Sequence, residues 1–134
     1  MTMGKSKRWI LTGLFLLFLA VGVLLLFRYN QESFTGSRVK NPDAFLMDIK
    51  RMNGTDLHTL ELQAGDVLQI QFQTVKGFLC AEIKAPDGTA IYRGNGRETT
   101  DFTVNISESG VYTVVVEARH AKGMIHIQCV QKKQ

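Results

Sequence analysis

The chain has 134 residues, two cysteines and a formal net charge of +4. A basic balance invites a nucleic-acid reading, but Lys5, Lys7 and Arg8 stand together ahead of an apolar run, and from Arg28 onward 13 Lys/Arg face 12 Asp/Glu. That near-neutral remainder excludes an electrostatic footprint for phosphate backbones, and the cysteine spacing excludes a CxxC metal or redox pair.

The run Trp9–Phe27, WILTGLFLLFLAVGVLLLF, carries no charge and one hydroxyl, Thr12. At about 1.5 Å per residue it matches the ~30 Å hydrocarbon core of a bilayer, and in lipid such a run must be helical. Trp9, the central Phe18 and Phe27 mark the expected span, over residues 9–28. A cleaved secretory signal is the alternative, because Ala20-Val21-Gly22 fits a small-x-small site. Cleavage there would leave VLLLF at the new terminus, so an uncleaved anchor is favoured. Lys5, Lys7 and Arg8 form a basic tail, residues 1–8, and positive flanks stay in the cytoplasm. The remainder is thus expected outside the cell membrane, with the lipid bilayer as one partner.

Gln31–Asn41, QESFTGSRVKN, is polar and lacks periodicity, so residues 29–43 read as a linker. Roughly 90 residues remain, enough for one domain with one modest core. Ala44–Met52, AFLMDIKRM, fits either one helical turn or a strand; a first strand around Leu46–Met52, ended by an Asn53-Gly54 turn, is favoured. Leu60 and Leu62 then share a face. After the turn Ala64-Gly65-Asp66, Leu68, Ile70 and Phe72 alternate with Gln69, Gln71 and Gln73, the period of a half-buried strand. Lys76-Gly77 reads as a turn. Leu79, Ala81 and Ile83 point inward on the next strand, and Pro86-Asp87-Gly88 closes it.

A short strand at Ala90–Arg93 leads to the loop Gly94-Asn95-Gly96. In Thr100–Ile106 the residues Phe102, Val104 and Ile106 alternate with polar ones. After Ser107–Gly110 comes Val111–Ala118, whose Tyr112, Val114 and Val116 share one face while Val111 and Val115 lie on the other; such a strand is expected to be central. Arg119–Gly123 reads as a loop, and Met124–Val130 as a last strand with Ile125 and Ile127 inward. Seven to eight short strands with frequent turns predict an all-β fold, an antiparallel β-sandwich of jelly-roll type spanning residues 44–131. Strand parity puts Cys80 and Cys129 on opposite faces. Two separate thiols, Cys129 acting as a small core residue, are favoured over a disulfide, which the external location would permit.

Three segments together resemble a known family: Leu62-Gln63-Ala64-Gly65-Asp66-Val67-Leu68-Gln69-Ile70-Gln71-Phe72, Pro86-Asp87-Gly88-Thr89 and Ser109-Gly110-Val111-Tyr112-Thr113-Val114-Val115-Val116. Over about residues 57–129 the chain resembles the bacterial pre-peptidase C-terminal domain and, more distantly, the Golgi-dynamics (GOLD) domain. The resemblance implies a β-sandwich used as a non-catalytic accessory module for binding or secretion. In it Gly65 makes a tight turn, Asp66 holds the turn backbone, Gly110 starts a strand and Tyr112 is a half-buried plug. The chain departs from these families in lacking a preceding peptidase and in placing its apolar helix first.

No constellation for catalysis stands out. His58, His120 and His126 lie in three segments without HExxH or His-x-His spacing. Ser107 and Ser109 flank Glu108 in a turn, without the surroundings of a nucleophile elbow. Asp66, Asp87 and Asp101 do not supply the six to eight oxygens usual for calcium, and Gly94-Asn95-Gly96-Arg97 lacks the Lys-Ser/Thr of a phosphate loop. The expectation is therefore a non-enzyme without metal or cofactor. Asn53-Gly54-Thr55 and Asn105-Ile106-Ser107 have the form of glycosylation sequons, meaningful only in a eukaryotic secretory route. Phe78, Val111 and Val115 form a candidate partner surface, if contiguous and not covered by Leu46–Met52. Arg119, His120 and Lys122 could add contacts to anionic headgroups or wall polymer. The expected role is a membrane-anchored binding module for a protein or cell-surface partner. The alternative is an accessory subunit of a membrane complex acting through its helix, where Gly13, Ala20 and Gly22 offer small packing surfaces.

Overall fold

The structure is a computed structural model and describes residues 4–132. The first three residues of the basic tail, and the last two of the polar C-terminal tail, lie outside it. Two units are separable, residues 1–31 and 32–134.

In the first unit, helix α1 runs from Lys5 to Tyr29 and buries none of its residues. Leu, Phe and Val occupy every side, so there is no apolar stripe to turn toward a partner. The one hydroxyl of its apolar run is internally satisfied, because Thr12 Oγ1 donates to the Arg8 carbonyl at 2.9 Å. Arg28 sits in the last turn, and the Asn30 N–H closes the helix on Leu26 O. A cation at that end complements the helix dipole. The helix is long and apolar enough to cross a membrane.

The second unit is built of antiparallel strands: β1 (Ser33–Asn41), β2 (Ala44–Leu62), β3 (Val67–Lys84), β4 (Ala90–Gly94), β5 (Thr100–Asn105) and β6 (Gly110–Gln131). They form one sheet of order β1-β2-β6-β3-β4, with β5 paired to the first part of β3. β6 is flanked on both sides along its length, by β2 and β3, as its two apolar faces led one to expect.

Six strands replace the expected seven to eight because three expected breaks are bends within long strands. Asn53-Gly54 lies inside β2, Lys76-Gly77 inside β3 and Arg119–Gly123 inside β6. Pairing registers slip at one common level, where Met52 faces Ala121 and Lys76 faces Lys122. Bulges insert a residue, bend the strand and raise its twist. Glycine at positive φ serves a hairpin turn and a bulge equally well, so the local signal is the same. Gly77 (φ 74°) shows why a glycine is needed: a Cβ there would sit 2.7 Å from the Arg119 carbonyl oxygen and against the His120 carbonyl. His120 itself is at φ 46°, the one non-glycine residue in that region among those described.

Residues 33–41, expected as linker, are instead the edge strand β1, paired from Ser33↔Asn53 to Asn41↔Ala44. Only Phe34 is half-buried; the rest of β1 is exposed. An edge strand can be stabilised by backbone pairing on one side while both side-chain faces stay wet, so it shows no periodicity. The first strand accordingly extends past Leu46–Met52 in both directions.

One core joins both arms of the bent strands. Phe45, Met47, Ile49 and Ile127 from one arm cluster with Leu60, Leu62, Val114 and Val116 from the other. The arms also meet through Glu61 N–H to Pro42 O at 2.7 Å, and through the Phe45 and His58 rings, 5.2 Å apart. Leu68, Ile70, Phe72, Leu79, Ala81 and Ile83 are fully buried, as their alternation predicted. Each such aliphatic side chain contributes about 1.5–3 kcal/mol as an upper bound. Phe102 departs from the pattern. It is 38% exposed and rests against the Tyr92 ring, with centroids 5.5 Å apart.

Candidate interaction surface

The polar residues singled out from sequence are held by local structure. Asp66 is buried at 2% exposure, and its carboxylate accepts the Gln63 N–H at 2.8 Å across the Gly65 turn. Asp87 accepts from Thr89 N–H at 2.9 Å, and the hydrogen bonds from Thr89 hold its carboxyl below the ordinary value. Asp101 accepts from Gln69 and Gln71. Ser109 Oγ accepts the Ala64 N–H at 2.8 Å.

Tyr112 is not the half-buried plug expected but fully buried, and its hydroxyl donates to Glu108 O at 2.6 Å. Burial pushes its phenol pKa up.

The histidines stay apart in role. The His58 ring lies 2.6 Å from Asn41 O, and the His126 ring lies 3.0 Å from an Asp48 carboxylate oxygen. Among the described residues no group of three or more His, Cys, Asp or Glu could hold a metal. Both thiols are free. Cys129 packs against the core, and burial pushes its pKa up, with the charge of Asp66 adding to the shift. That environment disfavours the nucleophilic thiolate.

Asp56 is the most heavily engaged surface carboxylate. It receives Arg38 Nη1 at 2.7 Å, Lys40 Nζ at 2.8 Å and Leu57 N–H at 2.9 Å. Burial pulls its pKa up, but the hydrogen bonds from Lys40, Arg38 and Leu57 outweigh that and leave it lowered. The clamp fastens β1 to the far arm of β2, a link the linker reading of residues 29–43 could not anticipate.

The proposed partner residues do not form one apolar patch. Val115 pairs with Leu57 on one side and Glu82 on the other, and Val111 pairs with Glu61. Thr113 lies between the two valines on the same face. Phe78 faces Arg119, whose guanidinium carbon lies 5.9 Å from the ring centroid. The outer face is a mixed apolar and charged surface in which Leu57, 54% exposed, joins Val111, 51% exposed. Leu57 was missed because only its pairing with Val115 shows its place. Leu46–Met52 occupies the other arm of β2 and pairs within residues 121–126 of β6 instead. Arg119, His120 and Lys122 come together on the bend of β6, with Lys76 opposite Lys122 and Arg51 close by in β2.

An antiparallel β domain preceded by an apolar helix is the class these observations define. No protein-family model matches the chain, and no curated protein matches its sequence.

Proposed function

We propose that the protein is a single-pass, membrane-anchored, non-catalytic binding module displayed outside the cytoplasm. The observation that carries this reading is α1, apolar on every side and ending three residues before β1 begins. Lys5, Lys7 and Arg8 at its start favour a cytoplasmic N-terminus. The polar residues considered for chemistry have structural work in turns and strand pairs, which supports binding over turnover.

The bent strands are read as a β-sandwich. Strands that switch sheets through bulges make the corners of such folds, and each arm of β2, β3 and β6 then counts as a strand of its own layer. The Tyr112 hydroxyl, donating to the carbonyl four residues upstream, supports this reading because it is similar to the tyrosine corner of sandwich domains. Gly65 at positive φ, the Asp66 carboxylate on the turn backbone and Gly110 at the start of β6 support the pre-peptidase C-terminal resemblance. An accessory role like that family's follows from this reading, with a protein or cell-surface partner on the Leu57–Val115 face.

The test is protease added to sealed cells, followed by replacement of α1 with an unrelated apolar helix. Digestion of the β domain with the N-terminal tail protected is the expected result. A protected β domain refutes the topology. Retained partner crosslinking at Val115 after helix replacement assigns function to the sheet; its loss assigns function to the helix and refutes the binding-module reading.

A further inference from the structure

The nearly neutral charge of the β domain is not evenly spread. The bulged spans 50–53, 75–77 and 119–122 contain Lys50, Arg51, Lys76, Arg119 and Lys122, and no carboxylate. All five side chains are exposed. Among the described residues none of the five has a carboxylate within ion-pair distance, whereas Arg38, Lys40, Lys84, Arg93 and Lys132, all away from the bend, each have one. The nearest acidic residues on the same strands, Asp48 and Glu117, precede the bulges, and Asp48 is engaged by Ser37 and His126. Two neighbouring segments bring carboxylates to this end, Glu32, which lies against Gly54 just ahead of β1, and Glu98, in the loop whose Gly96 O accepts the Thr74 N–H and which also carries Arg97, so the five cations outnumber the acids without excluding them.

The opposite end of the sheet has the reverse character. Its four turns carry Asp43, Asp66, Asp87 and Glu108 and no Lys or Arg, although Lys132, just past β6, reaches Asp43 at 4.0 Å. Two of these turns are joined directly, by Gly65 N–H to Ile106 O and Ala64 N–H to Ser109 Oγ.

The chain enters the domain at the basic end. Ser33, the first residue of β1, pairs with Asn53, and Thr35 pairs with Arg51. Tyr29 ends the helix. Four extended residues reach at most about 14 Å, so the bend cannot lie far from the bilayer surface if α1 is inserted. Val75, 61% exposed, adds an apolar side chain among these cations, the combination that suits a headgroup region.

We infer that the basic bend docks the β domain on anionic lipid headgroups of the membrane that α1 spans, leaving the acidic turns and the Leu57–Val115 face directed to the exterior. This rests on the anchor reading. Each Lys or Arg near an anionic surface shifts the docked-to-free ratio by about fivefold, so removal of three shifts it by roughly 100-fold. Salt screens the attraction.

The experiment uses the full chain in nanodiscs of phosphatidylcholine, with or without phosphatidylglycerol at about one lipid in three as an anionic probe composition. A fraction of the lipid carries a headgroup spin label, and backbone amide signals report proximity. Alkaline extraction comes first: a chain that is extracted refutes the anchor reading and the docking together. For an inserted chain, the expected result is stronger attenuation at residues 50–53, 75–77 and 119–122 in anionic discs than in neutral ones. The difference should vanish in high salt and in the triple variant Lys76→Glu, Arg119→Glu, Lys122→Glu. Unchanged core amide shifts in that variant show that its sheet is intact; if they change, Lys→Gln and Arg→Gln replacements at the same positions give the same readout. Equal attenuation in both compositions, or stronger attenuation at the acidic turns, overturns the docking while leaving the anchor standing. Competition by soluble polyphosphate that binds equally well without anionic lipid assigns the bend to a wall-type polyanion and also overturns it.

Discussion

Gly77→Ala tests whether the bend is fixed by close backbone approach. Gly77 holds φ 74°, and an added Cβ would meet the Arg119 oxygen and the His120 carbonyl carbon, both at 2.7 Å. These are backbone atoms of the central strand, so no flexible side chain can yield. The left-handed conformation costs alanine about 1–2 kcal/mol, and overpacking adds about 1–3 kcal/mol. For a domain of this size 1 kcal/mol is ~4–8 °C in melting temperature, so a loss of roughly 10–30 °C is expected. Gly88→Ala is the control, with φ 89° and nothing within 4 Å of its added Cβ. It carries the conformational cost alone, about 1–2 kcal/mol. The assay is thermal unfolding of the full chain in detergent, followed by circular dichroism at a strand wavelength, where the apolar helix contributes a non-melting baseline. Melting temperatures for the two variants within ~3 °C of each other would refute the reasoning, because the penalty would then owe nothing to packing at the bend.

Tyr112→Phe keeps the ring in the core but leaves Glu108 O without its donor; a loss of about 1–1.5 kcal/mol in urea unfolding is expected, with the m-value unchanged. Asp56 has a folded pKa below its ordinary 3.8, so its stabilising contribution is complete above that value and is lost as the pH falls through the lower folded value. Asp56→Asn should therefore flatten the stability–pH curve below about pH 4 and blunt its salt dependence, measured by urea unfolding across pH. Ile70→Ala removes a fully buried side chain and should cost about 2–5 kcal/mol, whereas Val111→Ala, at a half-exposed site, should stay within about 0.5 kcal/mol. Cys80 and Cys129 should both react with maleimide on denaturation without reductant, counted by mass spectrometry; retention of a disulfide mass would contradict the free thiols.

The sequence alone determined what depends on near neighbours. The helix followed from an uninterrupted apolar run, because backbone groups in such a run have no better partners than each other. The inward faces of β3 and β6 followed from alternation, because burial on one side imposes a period of two whatever the partner strand. The turns at Gly65 and Gly88 followed from residues whose own conformational preferences suffice. Only tertiary structure decided whether Asn53-Gly54, Lys76-Gly77 and Arg119–Gly123 end strands or bend them. A glycine at positive φ reads the same in both cases, and the outcome is set by strands paired across the sheet. The same holds for β1, whose order comes from hydrogen bonds to β2 and from the Arg38–Asp56–Lys40 clamp rather than from any buried stripe. It holds most of all for the charges. Lys50, Lys76 and Lys122 are scattered over more than 70 positions of a balanced chain, and long-range strand pairing alone collects them on one bend.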